Sequence, residues 1–333
     1  MVFLRKLLFP FSIIYGGVTT VRNYLYNKGW LESREYDIPI ICVGNLSTGG
    51  TGKSPMIEYL IDFLKEDYKI AVLSRGYKRK TSGYLEVSKS ARAIDVGDEP
   101  LQFKKKFPKV LVVVCADRRE GISRLKDNTE IILLDDAFQH RKVKASLNIL
   151  LTPFNDLYID DMVLPAGNLR EPKCGSKRAD IIIVTKCPHS VAYSKLQEIQ
   201  YRLALSPNQK IYFSRIGYDE NIYGKSECLP LEYLKNKKFT LVTGIAKPKP
   251  LIDYLKSKNL DFEHKKYADH HNFTPKEIEN LKERELILTT EKDYVRLEPN
   301  LNKFAIYYLP IRTKILNNQD EFLKNRIIEA IQF

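Results

Sequence analysis

The chain has 333 residues, of which 44% are hydrophobic and 29% charged, so it has the composition of a globular protein, and its length favours two domains over one core. Its net charge of +13 suits partners that carry phosphate or present an anionic membrane surface. Cys42, Cys115, Cys174, Cys187 and Cys228 are scattered, never spaced as CxxC or with histidines at finger intervals, which excludes a zinc finger and reads as reduced, structural thiols.

The first 30 residues stand apart. No charge occurs between Leu7 and Val21, while Arg5, Lys6, Arg22 and Lys28 flank that stretch. The uncharged run is shorter than the roughly 20 residues a spanning helix needs, Pro10, Gly16 and Gly17 interrupt it, and no AxA-like site marks a signal peptide. Phe3, Phe9, Phe11, Tyr15, Tyr24, Tyr26 and Trp30, mixed with basic residues, predict a helix lying on a membrane; the alternative is a helix buried on the protein's own core.

Apolar strand-like runs then alternate with helical patterns, the signature of parallel βα units. IPIICVGN from Ile38 is the first strand, and a helix from Lys53 to about Lys65 places Met56, Ile57, Leu60, Ile61 and Leu64 on one face. Further strands are expected at KIAVLSR (from Lys69), KVLVVV (Lys109), EIILLDD (Glu130), SLNILLT (Ser146) and DIIIVTK (Asp180). Their nearly continuous hydrophobicity predicts a sheet covered on both faces. A second set begins near KIYFSRI (from Lys210) and continues through KFTLVTGI (Lys238), LILTT (Leu286) and FAIYYLP (Phe304). The expected fold is therefore α/β, a P-loop NTPase-type parallel sheet domain over 31–216 and a smaller α/β domain over 217–333, preceded by a membrane-associated helix over 1–30.

STGGTGKS at 47–54 carries the chemistry. Placed between a strand and a helix, Ser47, Thr48, Gly49, Gly50, Thr51 and Gly52 form a loop whose backbone N–H groups can point at phosphate oxygens, aided by the helix N-terminus. Lys53 would reach the β- and γ-phosphates, and the Ser54 hydroxyl would ligate Mg²⁺. The usual GxxxxGK[ST] pattern has glycine where this chain has Ser47. IILLDD, ending at Asp135 and Asp136, has the form of a Walker B strand, with one or both carboxylates serving the metal. TKCP from Thr185 has Pro188 where guanine recognition needs a carboxylate, so ATP is expected over GTP. Nucleic acid is not expected as a partner, since no helix-turn-helix, finger or RNP pattern accompanies the charge.

These motifs and the segments between them resemble the tetraacyldisaccharide 4′-kinase family, the lipid A 4′-kinases of Gram-negative bacteria. The resemblance runs through VGNLSTGGTGKSP (from Val43), SRGYKR (Ser74), VGDEP (Val96), ADRREG (Ala116), DDAFQHR (Asp135), LPAGNLREP (Leu164), VTGIAKP (Val242), ADHHNF (Ala268) and TTEKDYVRL (Thr289). Family members are similar in lacking the first Walker A glycine. Ala137 stands where they more often have glycine, which matters only if the backbone there needs a positive φ.

The resemblance implies transfer of the ATP γ-phosphate to the 4′-hydroxyl of a tetraacylated glucosamine disaccharide 1-phosphate at the cytoplasmic face of the inner membrane, by a peripheral or monotopic protein; the sequence leaves the oligomeric state open, with a monomer favoured. It makes Asp98 the candidate general base and His270 its partner, with His271 a competing choice; read locally, Asp98 is also a candidate N-cap for a helix entered through Pro100. Arg75, Arg119 and Arg170 are candidate grips for ATP phosphates or the substrate's 1-phosphate. Glu171, Gln139, His140, Glu291, Lys292 and Asp293 fall in the same blocks without an assigned step. Rival readings are a P-loop kinase or ATPase acting on a soluble metabolite, and a nucleotide-switch binding protein.

Overall fold

Helix α1 (Phe9–Asn27) opens the chain, with Pro10 in its first turn, where no intrahelical N–H is lost. The computed structural model describes residues 5, 7–269, 271–301 and 303–332. The packing of α1 inverts the ordinary rule. Ser12, Thr19 and Asn23 are its buried residues, while Phe11, Ile13, Ile14, Val18 and Val21 are each more than half exposed. Among the described residues no helix is long and apolar enough to cross a membrane.

Next come β1 (Ile40–Asn45), α2 (Lys53–Leu64), β2 (Ile70–Ser74), β3 (Leu85–Glu86), α3 (Ala93–Val96), α4 (Asp98–Lys106), β4 (Leu111–Val114), α5 (Arg118–Leu125), β5 (Ile131–Asp135), β6 (Leu147–Pro153), β7 (Ile181–Thr185), α6 (Tyr193–Leu203) and β8 (Lys210–Tyr218). Their strands pair in the order β8-β7-β6-β1-β5-β2-β4-β3, parallel except at the short β3 edge. Alternation along β1 splits the core in two: Ile41 and Val43 pack with α2 on one face, Ile40 and Cys42 with α5 and α6 residues on the other. Burial on both faces is why these strands read as unbroken apolar runs.

A smaller sheet follows, built from β9 (Asn221–Tyr223), β10 (Cys228–Pro230), β11 (Phe239–Thr243), β12 (Phe262–Lys266), β13 (Ile287–Thr290) and β14 (Ile306–Leu309) in the order β10-β9-β14-β13-β11-β12. Between them lie α7 (Lys249–Ser257), α8 (Pro275–Lys282) and α9 (Glu291–Leu301).

The sheets do not divide the chain as its local patterns suggest. KIYFSRI, expected to open the second set, is β8 of the larger sheet, paired in parallel with β7. The chain also comes back: β15 (Ile311–Ile315) pairs antiparallel with β8, and α10 (Asp320–Ile331) buries Leu323, Ile327 and Ile331 in the core that holds β1 and α2. The smaller sheet is thus threaded between two adjacent strands of the larger one.

Ion pairs between α4 and α9 join the two parts. Asp98 meets Arg296, Lys292 reaches Glu99 at 3.1 Å, Lys105 reaches Glu298 at 3.2 Å, and Lys106 reaches Glu291 at 2.9 Å.

Candidate active site

The loop at 47–52 connects the carboxyl end of β1 to the amino end of α2. Gly49 and Gly52 hold φ of +113° and +96°, conformations that side chains with a Cβ rarely adopt. Gly44 answers a different need: a Cβ there would lie 2.6 Å from Cβ of Phe138.

Two segments grip the loop. On one side Thr48 N donates to Asn168 O at 2.8 Å, Arg170 N donates to Leu46 O at 2.7 Å, and Ser47 forms a bridge with Leu169. On the other, the Thr185 hydroxyl donates to Thr51 O at 2.6 Å and the Lys186 ammonium donates to Gly50 O. With Thr48 N and the carbonyls of Leu46, Gly50 and Thr51 so engaged, the N–H groups of residues 49–54 are left to face an anion. Lys53 donates to Asn45 Oδ1 at 3.3 Å and lies 3.6 Å from Asp136, while Ser54 sits half-buried in the first turn of α2.

Asp135 ends β5 beside the loop, and Asp136 follows at φ +49°. Burial, reinforced by the charge of Asp136, pushes the Asp135 carboxyl up to about 6, and Ser74 donates to its Oδ2 at 3.0 Å. Asp136 behaves oppositely. Burial works to raise it, but Lys53 and a two-point contact from Arg170, at 2.8 and 3.1 Å, hold it below the usual carboxylate range. The positive φ at this turn therefore falls on Asp136, and Ala137 needs no glycine.

The three arginines separate by position. Arg170 braces Asp136, Arg119 lies 3.7 Å from Asp117, and Arg75 is exposed just beyond β2. Arg118, next to Arg119 in the ADRREG block, is buried and donates to Cys115 O at 2.9 Å. Burial and the charge of Arg118 push His140 down to about 4, so its imidazole is neutral near pH 7.

Asp98 is the first residue of α4 and not its cap: the N-cap position belongs to Gly97 at φ +93°. The Asp98 carboxylate is gripped by Arg296 of α9, whose Nε donates to Oδ1 at 2.8 Å and whose Nη2 donates to Oδ2. The charge of Glu99, the next residue of α4, adds to the upward shift of Asp135. His270 lies outside the described residues. The ring of His271 is engaged elsewhere, 2.9 Å from Glu277 and stacked on Tyr267, while its carbonyl accepts from Arg296 at 3.0 Å. Glu277 belongs to the capping box with Thr274 that starts α8.

A family model described as tetraacyldisaccharide-1-P 4′-kinase matches residues 4–332. The chain belongs to that family. A relative from Flavobacterium johnsoniae named tetraacyldisaccharide 4′-kinase is 49% identical over 96% of this chain and 95% of its own length. One of the same name from Bacteroides thetaiotaomicron is 44% identical over 99% and 94%. The crystal structure of the "apo" form of LpxK from Aquifex aeolicus in complex with ATP superposes with a TM-score of 0.81 at 33% identity, covering 98% of this chain and 99% of that one.

For this member of the tetraacyldisaccharide 4′-kinase family, sequence reasoning passed over three residues at the site. Thr185 and Lys186 stood only as a broken guanine motif, yet both bond to the backbone of the loop at 47–52. Arg296 lies in TTEKDYVRL without having been singled out; its partner is 198 positions away, so no local pattern connects them. Asp293, in the same block, accepts from Gly244 N at 2.8 Å and Thr290 Oγ1 at 2.7 Å, a structural duty that ties two family blocks together.

Proposed function

We propose that this chain transfers the γ-phosphate of ATP to the 4′-hydroxyl of a tetraacylated glucosamine disaccharide 1-phosphate, a step of lipid A biosynthesis, at the cytoplasmic face of the inner membrane. The observation that carries the reading is the loop at 47–54, with Lys53 held between Asn45 and Asp136, in a chain that matches this kinase family along its whole length.

The N–H groups of residues 49–54 and the Lys53 ammonium cradle the β- and γ-phosphates, Thr48 N being held by Asn168 O. The donors near the loop suit Mg²⁺, which keeps several waters and takes phosphate oxygens instead of an all-protein cage; among the described residues no cluster of three or more metal-ligating side chains exists. Ser54 and Asp135 are the residues that would hold it, because Arg170 engages both oxygens of Asp136 while none of these contacts engages Oδ1 of Asp135. A magnesium ion there supplies charge neutralisation for the phosphates.

Asp98 takes the proton of the attacking hydroxyl, with His270 as its partner. Arg296 holds and orients that carboxylate before the acceptor arrives. Arg75, exposed beyond β2, is the arginine best placed to meet a mobile phosphate, whereas Arg170 acts through Asp136.

The acceptor is a lipid, and the exposed apolar face of α1 gives the protein a surface to lay into the headgroup region, with basic residues facing anionic lipid. The decisive experiment is transfer of labelled γ-phosphate from ATP to tetraacyldisaccharide 1-phosphate in detergent micelles. Label on the 4′ position is expected. Label appearing only as inorganic phosphate, or on a soluble metabolite, overturns the reading.

A further inference from the structure

Helix α1 touches the protein through its polar stripe, and that stripe leads to the phosphate loop. Ser12, Tyr15, Thr19 and Asn23 recur at helical spacing, so they share one face. Thr19 satisfies its hydroxyl within the helix, on Tyr15 O at 2.9 Å. The other three bond outward, all to the segment 166–171: Ser12 Oγ accepts from Ala166 N at 2.9 Å, the Tyr15 hydroxyl donates to Arg170 O at 2.8 Å, and Asn23 Nδ2 donates to Glu171 Oε2 at 2.7 Å.

Segment 166–171 is the brace of the loop. Asn168 and Arg170 bond to the backbone at Thr48 and Leu46, and the Arg170 guanidinium grips Asp136. Glu171 is fully buried and gathers Asn23, Gln139 at 3.0 Å and Arg178 at 2.8 Å. Gln139 in turn donates to Asn45 O at 2.8 Å, and the side chain of Asn45 receives Lys53. The path from Asn23 to Lys53 is thus a chain of side-chain and backbone hydrogen bonds. A membrane anchor by itself needs no such bonds, and the side chains that α1 buries, Ser12, Thr19 and Asn23, are polar ones.

We propose that Tyr15 and Asn23 are positioning residues for the phosphate loop, so that α1 is part of the nucleotide site's architecture as well as a membrane-facing element. This rests on the reading of residues 47–54 as the ATP phosphate site. Each residue holds one oxygen of the brace: Tyr15 the carbonyl of Arg170, Asn23 the carboxylate of Glu171. Losing either lets the brace relax and the loop with it.

The test uses the full chain in detergent, with the variants Asn23→Ala, Tyr15→Phe and Lys53→Ala, and reads KM for ATP, kcat, thermal midpoint and sedimentation with vesicles of phosphatidylethanolamine and phosphatidylglycerol. Asn23→Ala, which leaves a buried carboxylate short of a donor, is expected to raise KM for ATP about tenfold, and Tyr15→Phe several-fold, with kcat less affected and vesicle sedimentation unchanged. Asn23→Ala and Gln139→Ala are expected to be non-additive, since both act through Glu171. If Asn23→Ala does not fold, Tyr15→Phe alone decides. Unchanged KM in both helix variants, while Lys53→Ala loses ATP, overturns the proposal and leaves α1 an anchor. Undiminished ATP binding by Lys53→Ala overturns the phosphate-loop reading, and this inference with it.

Discussion

Arg296 and Asp98 face each other across the two sheets, with Nε 2.8 Å from Oδ1 and both side chains about nine-tenths buried. A pair so sheltered differs from an exposed one, because removing one partner leaves the other charged in a poorly solvated place. Arg296→Ala is expected to cost about 3 kcal/mol of stability, whereas an exposed pair would cost under about 1 kcal/mol. Urea unfolding measures the difference; a loss in the lower range would mean that the pair contributes only surface electrostatics.

The proposed roles of Asp98 and His270 predict a coupled loss. Asp98→Ala and His270→Ala should each reduce kcat, and the double variant should be little worse than the more damaging single one. Multiplicative losses in the labelled-phosphate assay would show two independent functions.

Lys53→Ala should reduce transfer at least about a hundredfold, the scale for removing one preorganised charge from a transition state. Asp136 keeps its two-point contact with Arg170, so the fold has no buried carboxylate left unpaired by this change. The thermal midpoint is therefore expected to move by only a few degrees. A large fall in midpoint would assign Lys53 a structural role.

What could be read in advance followed from local chemistry. The apolar runs of β1, β5 and β7 are buried on both faces, and hydrophobicity alone marks such strands. The glycines and Lys53 of the loop are specified by backbone conformation and charge within eight residues. β12, with the sequence FEHKK, and β15, with IRTKI, are only partly buried at the two sheet edges, so they carry no comparable apolar signal. The pairing of β15 with β8 crosses the whole smaller sheet, and nothing in either segment names its partner. The site divides along the same line. Asp135 and Lys53 could be singled out by local motif alone, while Thr185, Lys186 and Arg296 act on groups brought near only by folding.

A second interface pair carries a pH dependence. Lys106 lies 2.6 Å from Glu58 and 2.9 Å from Glu291, with Gln102 donating to Glu58 at 2.7 Å. Burial, and then the charge of Glu58, raises the Glu291 carboxyl well above the usual carboxylate range. The folded state therefore holds a proton that the unfolded chain releases at ordinary carboxylate pH. Stability present below that pH is lost as pH rises toward the folded value. Glu291→Gln should flatten this decline between mildly acid and mildly alkaline pH, as measured by urea midpoints across the window. An unchanged slope would assign the dependence to other groups.

Thr185 offers the sharpest separation of local roles at the loop. Its hydroxyl is buried and donates to Thr51 O at 2.6 Å, and a Cβ on Gly52 would meet its side chain at 3.6 Å, so the two segments are in contact. Valine has nearly the same shape without the donor, so Thr185→Val leaves the Thr51 carbonyl unpaired without opening a cavity. KM for ATP should rise about tenfold, the scale of an unsatisfied buried acceptor, with kcat changed less. Thr185→Ser keeps the hydroxyl and removes a methyl, and should return KM close to the parent value. If Ser and Val variants behave alike, packing at the end of β7 matters and the hydrogen bond does not.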